Sequence, residues 1–148
     1  MVIPLASGLL ARRDDYFAAL TAYRAGSPRE IIQLFARASS IAAEESAHTL
    51  DNIAALPGEW REAYSPRAGS TGSRLLALFL NRPALATDDI EEILKAPTSS
   101  INAALNDMSA AGIVHEITGR KRNRVWVASD LMAELDDLDS RIAAKLTR

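Results

Sequence analysis

This chain of 148 residues contains no cysteine, which excludes disulfide bonds and thiolate metal ligands. A chain without cysteine suits a reducing compartment, and we expect a cytoplasmic protein. Histidine is scarce as well, because His48 and His115 are the only two. A zinc site needs three or four ligands, and most nucleophilic triads need a histidine beside the nucleophile. We therefore expect no metal, no cofactor and no catalytic residue, and we expect that the chain is not an enzyme.

Long apolar runs are also missing from the sequence. Each run is far shorter than the roughly 20 residues that a membrane-spanning helix needs. The N-terminal residues MVIPLAS lack the basic start and apolar core of a secretory signal. We therefore expect no contact with a membrane. The chain has 17 Lys and Arg against 19 Asp and Glu, so its net charge of −2 gives the whole molecule no electrostatic preference for nucleic acid.

What the sequence does contain, over residues 1–64, is helical periodicity. Apolar spacing predicts one helix from Leu9 to Ala25 and a second, longer helix after it. Ser27 at the N-cap, Pro28 at the first helical position and Glu30 form a capping box at the start of the longer helix.

The long helix contains two further features, a Pro-Gly pair and a pair of adjacent glutamates. Pro57-Gly58 is expected to break or kink it, because proline removes a helical hydrogen bond. The adjacent Glu44 and Glu45 point about 100° apart on a helix, and we expect both to lie on a solvated face. Residues 65–72 are rich in Ser, Gly and Pro, and this composition predicts a linker between two domains.

Residues 73–148 predict short helices followed by a β-hairpin. Three helices come first, and Leu85-Ala86 forms a minor strand before the second of them. Their predicted N-caps are polar residues: Ser73, Thr87, and Thr98 or Ser99. Gly112 ends the third helix. Two alternating strands then flank a tight basic turn, and a last helix starts at Asp130.

Helix, helix and basic hairpin is the layout of a winged helix-turn-helix. The predicted fold class is therefore mainly α, a helical bundle segment followed by a winged helix-turn-helix with a small β-hairpin wing. The predicted domains are a helical segment over residues 1–64, the linker over 65–72 and the winged helix over 73–148.

Two parts of a winged helix contact its ligand, the third helix and the wing. The polar residues that this chain offers there are Ser99, Ser100, Asn102, Arg120, Lys121, Arg122 and Arg124. Asparagine can pair with adenine, serine is permissive, and the cations can bind phosphate. From Ser73 onward, however, 10 Lys and Arg face 11 Asp and Glu, and the third helix has no cation. Two partners therefore stay open for this surface, DNA and a docked protein.

Residues 116–127, EITGRKRNRVWV, preceded by Leu105–Gly112, closely resemble the C-terminal winged helix of Fic-family proteins. Those proteins commonly carry AGI after a helix and then a strand similar to EITGRKRNRLY. Residues 5–20, LASGLLARRDDYFAAL, resemble the end of a Fic core, and residues 31–53 resemble the long helix that follows it. The resemblance covers most of the chain.

The resemblance implies a role without catalysis. Fic enzymes transfer AMP from ATP to a hydroxyl side chain through the motif HxFx(D/E)GNGRxxR, which does not occur here. The family's inhibitory motif is also unmet, because Ser40-Ile-Ala-Ala-Glu44 is followed by Glu45. We therefore expect a non-catalytic regulatory or interaction module, the C-terminal winged-helix part of a Fic-like protein. The alternative is a free-standing winged-helix DNA-binding transcriptional regulator.

Two origins fit the resemblance, the tail of a longer Fic protein or a degenerate stand-alone relative. Both predict that the first helices expose apolar surface that a parent catalytic domain would cover, and large uncovered patches favour association. We expect a homodimer through Leu10–Tyr23 and Ile31–Leu56.

Overall fold

The structure, a computed structural model, describes residues 4–120 and 122–147. Within these residues it is mainly helical, with one small antiparallel sheet. The elements in chain order are α1 (Leu5–Ala11), α2 (Arg13–Arg24), α3 (Arg29–Ala63), α4 (Thr71–Asn81), β1 (Ala84–Ala86), α5 (Thr87–Leu94), α6 (Thr98–Ala110), β2 (Val114–Glu116), β3 (Val125–Ala128) and α7 (Ser129–Leu146). The mainly α class, the minor strand and the β-hairpin predicted from the sequence are confirmed.

The described residues form two compact units. Unit 1 comprises residues 4–52 and 134–147, and unit 2 comprises residues 53–133 apart from residue 121. The division into residues 1–64, 65–72 and 73–148 stays a prediction of domain organisation. Across the described part of the chain, no helix is both long and apolar enough to cross a membrane.

The first helical stretch differs from its prediction. A single helix from Leu9 to Ala25 was expected, but Arg12 leaves the helical conformation (φ −121°, ψ 43°) and separates α1 from α2. The N–H of Arg12 donates to the carbonyl of Leu9 at 3.2 Å and so closes α1. At the start of α3, the Ser27 hydroxyl donates to the Glu30 carboxylate at 2.8 Å, which joins the two ends of the predicted capping box.

Of the break or kink expected at Pro57-Gly58, the break is wrong, because α3 continues through Pro57 to Ala63. Proline has no N–H, so the carbonyl of Ile53 loses its helical partner at a cost of about 3 kcal/mol. Leu56 and Trp60 flank the proline and are both buried in the core of unit 2. Burial of these two side chains stabilises the helix by a comparable amount, and the helix continues.

The stretch between α3 and α4 is shorter than the predicted linker. Ser70, rather than Ser73, is the N-cap of α4, and its hydroxyl accepts from the Ser73 N–H at 3.3 Å. Gly72 is already a buried residue of this helix. A Cβ atom at Gly72 would clash with the Tyr64 hydroxyl, so the turn before α4 is closely packed.

Unit 1 combines a small apolar core with a polar network. The core residues are Ala38, Ala42, Leu138, Ile142 and Leu146. Beside them Arg141 donates to Glu45 at 2.9 Å and to Glu134 at 2.8 Å, and Lys145 lies 2.5 Å from Glu45. The expectation that Glu45 is solvated is wrong, because its side chain is only 7% exposed. The two cations of α7 make this burial tolerable. Glu44 is exposed, as predicted.

The core of unit 2 lies between its helices and its sheet. The apolar face of α6 is fully buried at Ile101, Leu105 and Met108, as its helical spacing predicts. The sheet order is β1-β3-β2, so β3 is the central strand and pairs with both neighbours. Gly112 ends α6 with a φ of +78°, a left-handed conformation that glycine adopts without strain.

Candidate functional site

The first turns of α6 present polar side chains to solvent. Because Ile101, Ala104 and Leu105 point into the core, the opposite face of the helix is open. Ser99 and Ser100 are exposed there, and Asn102 is half-buried. The helix begins at Thr98, and its N-cap residue Pro97 offers no side-chain cap. Both serine hydroxyls are therefore accessible to a ligand.

The Glu116 carboxylate organises the turn of the hairpin. It accepts hydrogen bonds from the N–H of Thr118 at 2.7 Å, from the N–H of Gly119 at 2.9 Å and from the Thr118 hydroxyl. These hydrogen bonds, that of the Thr118 hydroxyl above all, together with the charge of Arg124, hold the pKa of Glu116 below its usual value. The Thr118 hydroxyl in turn accepts from the N–H of Val125 at 3.3 Å, which joins the two sides of the turn.

The tip that follows carries exposed arginines. Arg120 and Arg122 are both exposed, while Lys121 lies outside the described residues. Gly119 (φ +62°) and Asn123 (φ +46°) are left-handed and bracket the tip. Within the part of the chain that the structure describes, Arg120 and Arg122 make no ion pair or hydrogen bond with α6. Their charge is therefore available to a partner.

Arg124 connects the hairpin to both helices beside it. Its carbonyl accepts from the N–H of Thr87 at 2.9 Å and from the Thr87 hydroxyl at 3.0 Å, which anchors it to α5. Its guanidinium donates to Asn102 Oδ1 at 3.3 Å and lies 4.9 Å from the centre of the Trp126 indole ring. Arg124 is half-buried, and the hydrogen bond to Asn102 places the hairpin directly against α6.

The structure therefore brings Asn102 and Arg124 together, with Ser99 one helical turn before Asn102 on the same helix face. Glu116 and Trp126 help to build this site but were not among the residues predicted to bind a ligand, and Thr87 was predicted only as a helix N-cap. Glu116-x-Thr118-Gly119 contained a local signal, since an acceptor two residues before a Thr-Gly pair is suited to a turn. The role of Thr87 had no such signal, because its partner is distant in the sequence.

Unit 2 carries no net charge. Between residues 53 and 133, Lys and Arg are equal in number to Asp and Glu. The basic residues are concentrated at the hairpin, where four of them lie between residues 120 and 124 without an acid. Asp107, further along α6, is exposed. Attraction of an anion by this unit is thus local to the hairpin and the start of α6.

Each histidine ring lies beside a neutral polar side chain. Nδ1 of His48 lies 3.3 Å from Nδ2 of Asn52, and Nδ1 of His115 lies 3.0 Å from the Ser129 hydroxyl. Among residues 4–120 and 122–147, no three His, Asp or Glu side chains are arranged to hold a metal ion. No protein-family model matches this chain, and no curated protein matches it.

Proposed function

We propose that this chain is a non-catalytic interaction module of the Fic-like type, and that unit 2 is a winged helix-turn-helix that binds duplex DNA. The order α4, β1, α5, α6 and then the hairpin β2–β3 supports the winged-helix assignment. In this assignment α6 is the recognition helix and residues 117–124 are the wing. The Fic-like part of the proposal is supported by the motif in residues 116–127.

The observation that carries DNA binding is the hydrogen bond from Arg124 to Asn102. It makes the exposed hairpin arginines and the open start of α6 one continuous polar surface. A recognition helix fits the major groove, and a neighbouring basic loop then lies along the phosphate backbone. Ser99, Ser100 and Asn102 would face base edges, while Arg120, Lys121 and Arg122 would neutralise phosphates. The alternative identity, a free-standing DNA-binding regulator, uses the same surface.

The test is a fluorescence-anisotropy titration of the full chain with a labelled random duplex at ~50 and ~200 mM salt. If the wing neutralises three to four phosphates, affinity should fall by about 100-fold between these salt concentrations. The variant Arg120→Ala, Lys121→Ala, Arg122→Ala should bind at least tenfold more weakly at the lower salt concentration and show a smaller salt dependence.

A matched control removes the same charge from unit 1. Arg24, Arg29 and Arg37 are exposed, and their triple replacement by alanine should leave DNA affinity within about twofold of the original. Equal loss in both triple variants would mean that net charge, not the hairpin, attracts DNA. Absence of binding at ~50 mM salt would make the DNA role wrong and leave a protein as the partner of this surface.

A second candidate function, self-association, is favoured by unit 1. Four large apolar side chains of α1–α3 are more than half exposed: Leu10 73%, Phe17 52%, Tyr23 55% and Ile32 62%. Isolated exposed apolar residues are common, but four on consecutive helices of one small unit favour a covered face. We propose that a second copy of the chain covers it, and that the resulting dimer presents two winged helices to DNA.

Light scattering after size exclusion should give twice the chain mass of 16.0 kDa at micromolar concentrations. Replacing Leu10 and Ile32 by serine should shift the mass toward the monomer while leaving the unfolding temperature nearly unchanged, since both side chains are exposed. Ile117→Ser, an equally exposed apolar position in unit 2, is the control and should stay dimeric. A monomeric original chain at all concentrations would contradict the proposal.

A further inference from the structure

Resting on the DNA contact of the proposed function, we propose that Asn102 and Arg124 together recognise guanine in the major groove. The hydrogen bond between these two residues has a defined direction. The Arg124 guanidinium donates to Asn102 at 3.3 Å, and a guanidinium has only donors. The amide atom that faces Arg124 must therefore be Oδ1. The Nδ2 group of Asn102, with its two N–H donors, is left for a ligand.

Arg124 is held in place on three sides. Its carbonyl is bound by both the N–H and the hydroxyl of Thr87, and its guanidinium lies over the ring of Trp126, which is 3% exposed. Arginine has five N–H donors in a rigid planar arrangement, and one of the five is occupied by Asn102. The remaining donors point in fixed directions, so little conformational entropy is lost when they bind.

The pair consequently offers mainly donors, because one of the two lone pairs of Asn102 Oδ1 already accepts from Arg124. A free asparagine binds adenine with one acceptor and one donor, but here the oxygen already accepts one hydrogen bond from Arg124 and would have to be shared between Arg124 and the base. Cytosine presents a donor in the major groove and needs an acceptor. The Glu116 carboxylate is held within the turn, where its Oε1 accepts from the N–H groups of Thr118 and Gly119. Guanine presents two adjacent acceptors, N7 and O6, and is the base that matches two neighbouring donors.

Ser99 is compatible with the recognition of guanine by Asn102 and Arg124. It lies three residues before Asn102, so both side chains are on the same face of α6. A hydroxyl donates or accepts, and it therefore tolerates any base beside the guanine. Guanine is thus the expected base for Asn102, in place of the adenine that the sequence alone suggested.

The experiment selects preferred duplexes from a random library with the full chain and then measures anisotropy with the best duplex. Its guanines are replaced one at a time by 7-deazaguanine, which has a C–H in place of N7. At one position we expect affinity to fall by about 10- to 100-fold. Inosine at that position keeps N7 and O6 and lacks only the minor-groove amino group, so it should bind as guanine does.

Two variants test the residues themselves. Asn102→Ala and Arg124→Lys should each reduce the preference for guanine over 7-deazaguanine to about twofold, while affinity for random duplex changes less. Selection of adenine at this position, or a selected duplex insensitive to every 7-deazaguanine, would overturn the guanine inference and leave DNA binding intact. A chain that enriches no duplex and binds none at low salt overturns the proposed function itself. The base analogues need no variant, so the test survives if either substitution impairs folding.

Discussion

Replacing Arg141 by alanine is expected to lower the free energy of unfolding by about 3 kcal/mol, because it removes a shared cationic partner from one buried and one half-buried carboxylate. Glu45 and Glu134 have side chains that are 7% and 15% exposed, and Arg141 binds both. Arg141 also donates to the Thr49 hydroxyl at 2.6 Å, and that hydroxyl donates to Glu134 at 2.8 Å. Loss of one side chain therefore affects the whole network between α3 and α7. Urea unfolding followed by far-ultraviolet circular dichroism measures the change.

The matched control is Arg12→Ala in the same unit. Arg12 pairs with Asp15 at 2.6 Å, but the two side chains are 31% and 56% exposed, and such pairs contribute about 0–1 kcal/mol. Equal stability losses in the two variants would show that the Arg141 network has no special weight and would contradict the prediction.

The same network predicts how the stability difference between the original chain and Arg141→Ala depends on pH. The hydrogen bond from Lys145 and the one from Arg141 outweigh the effect of burial and lower the pKa of Glu45. For Glu134, burial acts to raise the pKa, but hydrogen bonds from Arg141, Thr49 and Asn52 outweigh it and lower the pKa. Carboxyls whose pKa is lower in the folded chain add stability above their unfolded value of about 4.3, and lose it as pH falls through the folded value. The stability gap between the original chain and Arg141→Ala should therefore be largest near pH 7 and narrow below about pH 4.

The second large effect is expected in unit 2, where Trp60→Ala should lower the free energy of unfolding by about 3–5 kcal/mol. Trp60 is 2% exposed, and its Nε1 donates to Asp130 at 2.8 Å. The substitution removes one of the two tryptophans of this core and also the contact that compensates for Pro57 in α3. The two tryptophans of the chain are both in unit 2, so their fluorescence reports the unfolding of this unit.

Paired phenylalanine variants separate packing from hydrogen bonding. Trp60→Phe loses a hydrogen bond to a carboxylate, and such bonds contribute about 1.5–3 kcal/mol. Trp126 is buried as well, but its Nε1 has no partner among the described residues. Trp126→Phe should therefore cost less than Trp60→Phe. The reverse order, or an effect of Trp60→Ala below about 1 kcal/mol, would contradict a large contribution of Trp60 to the stability of this core.

Local patterns in the sequence were sufficient for the elements of unit 2. The 3.6-residue spacing of Ile101, Leu105 and Met108 predicted the buried face of α6, because a helix repeats its orientation at that interval. Gly112 predicted the end of that helix, because only glycine adopts a positive φ without strain. Alternation in residues 113–127 predicted the hairpin, since side chains of a strand alternate between its faces.

Pairings between distant residues were decided by the tertiary structure alone. Glu45 has the appearance of a surface residue until Arg141, 96 positions later, is packed against it. Arg124 and Asn102 are 22 positions apart, and no local pattern in the sequence indicates that the Arg124 guanidinium donates to the amide oxygen of Asn102. Pro57 predicted a helix break or kink from its missing N–H, but α3 does not end there, because burial of Leu56 and Trp60 outweighs that loss. The sequence by itself determined most of the helices and strands, because periodicity and caps act within a few residues, but not the break at Arg12 or the continuation of α3 through Pro57. Which polar groups are buried, and which atoms they leave free to bind a partner, depended on packing between segments far apart in the chain.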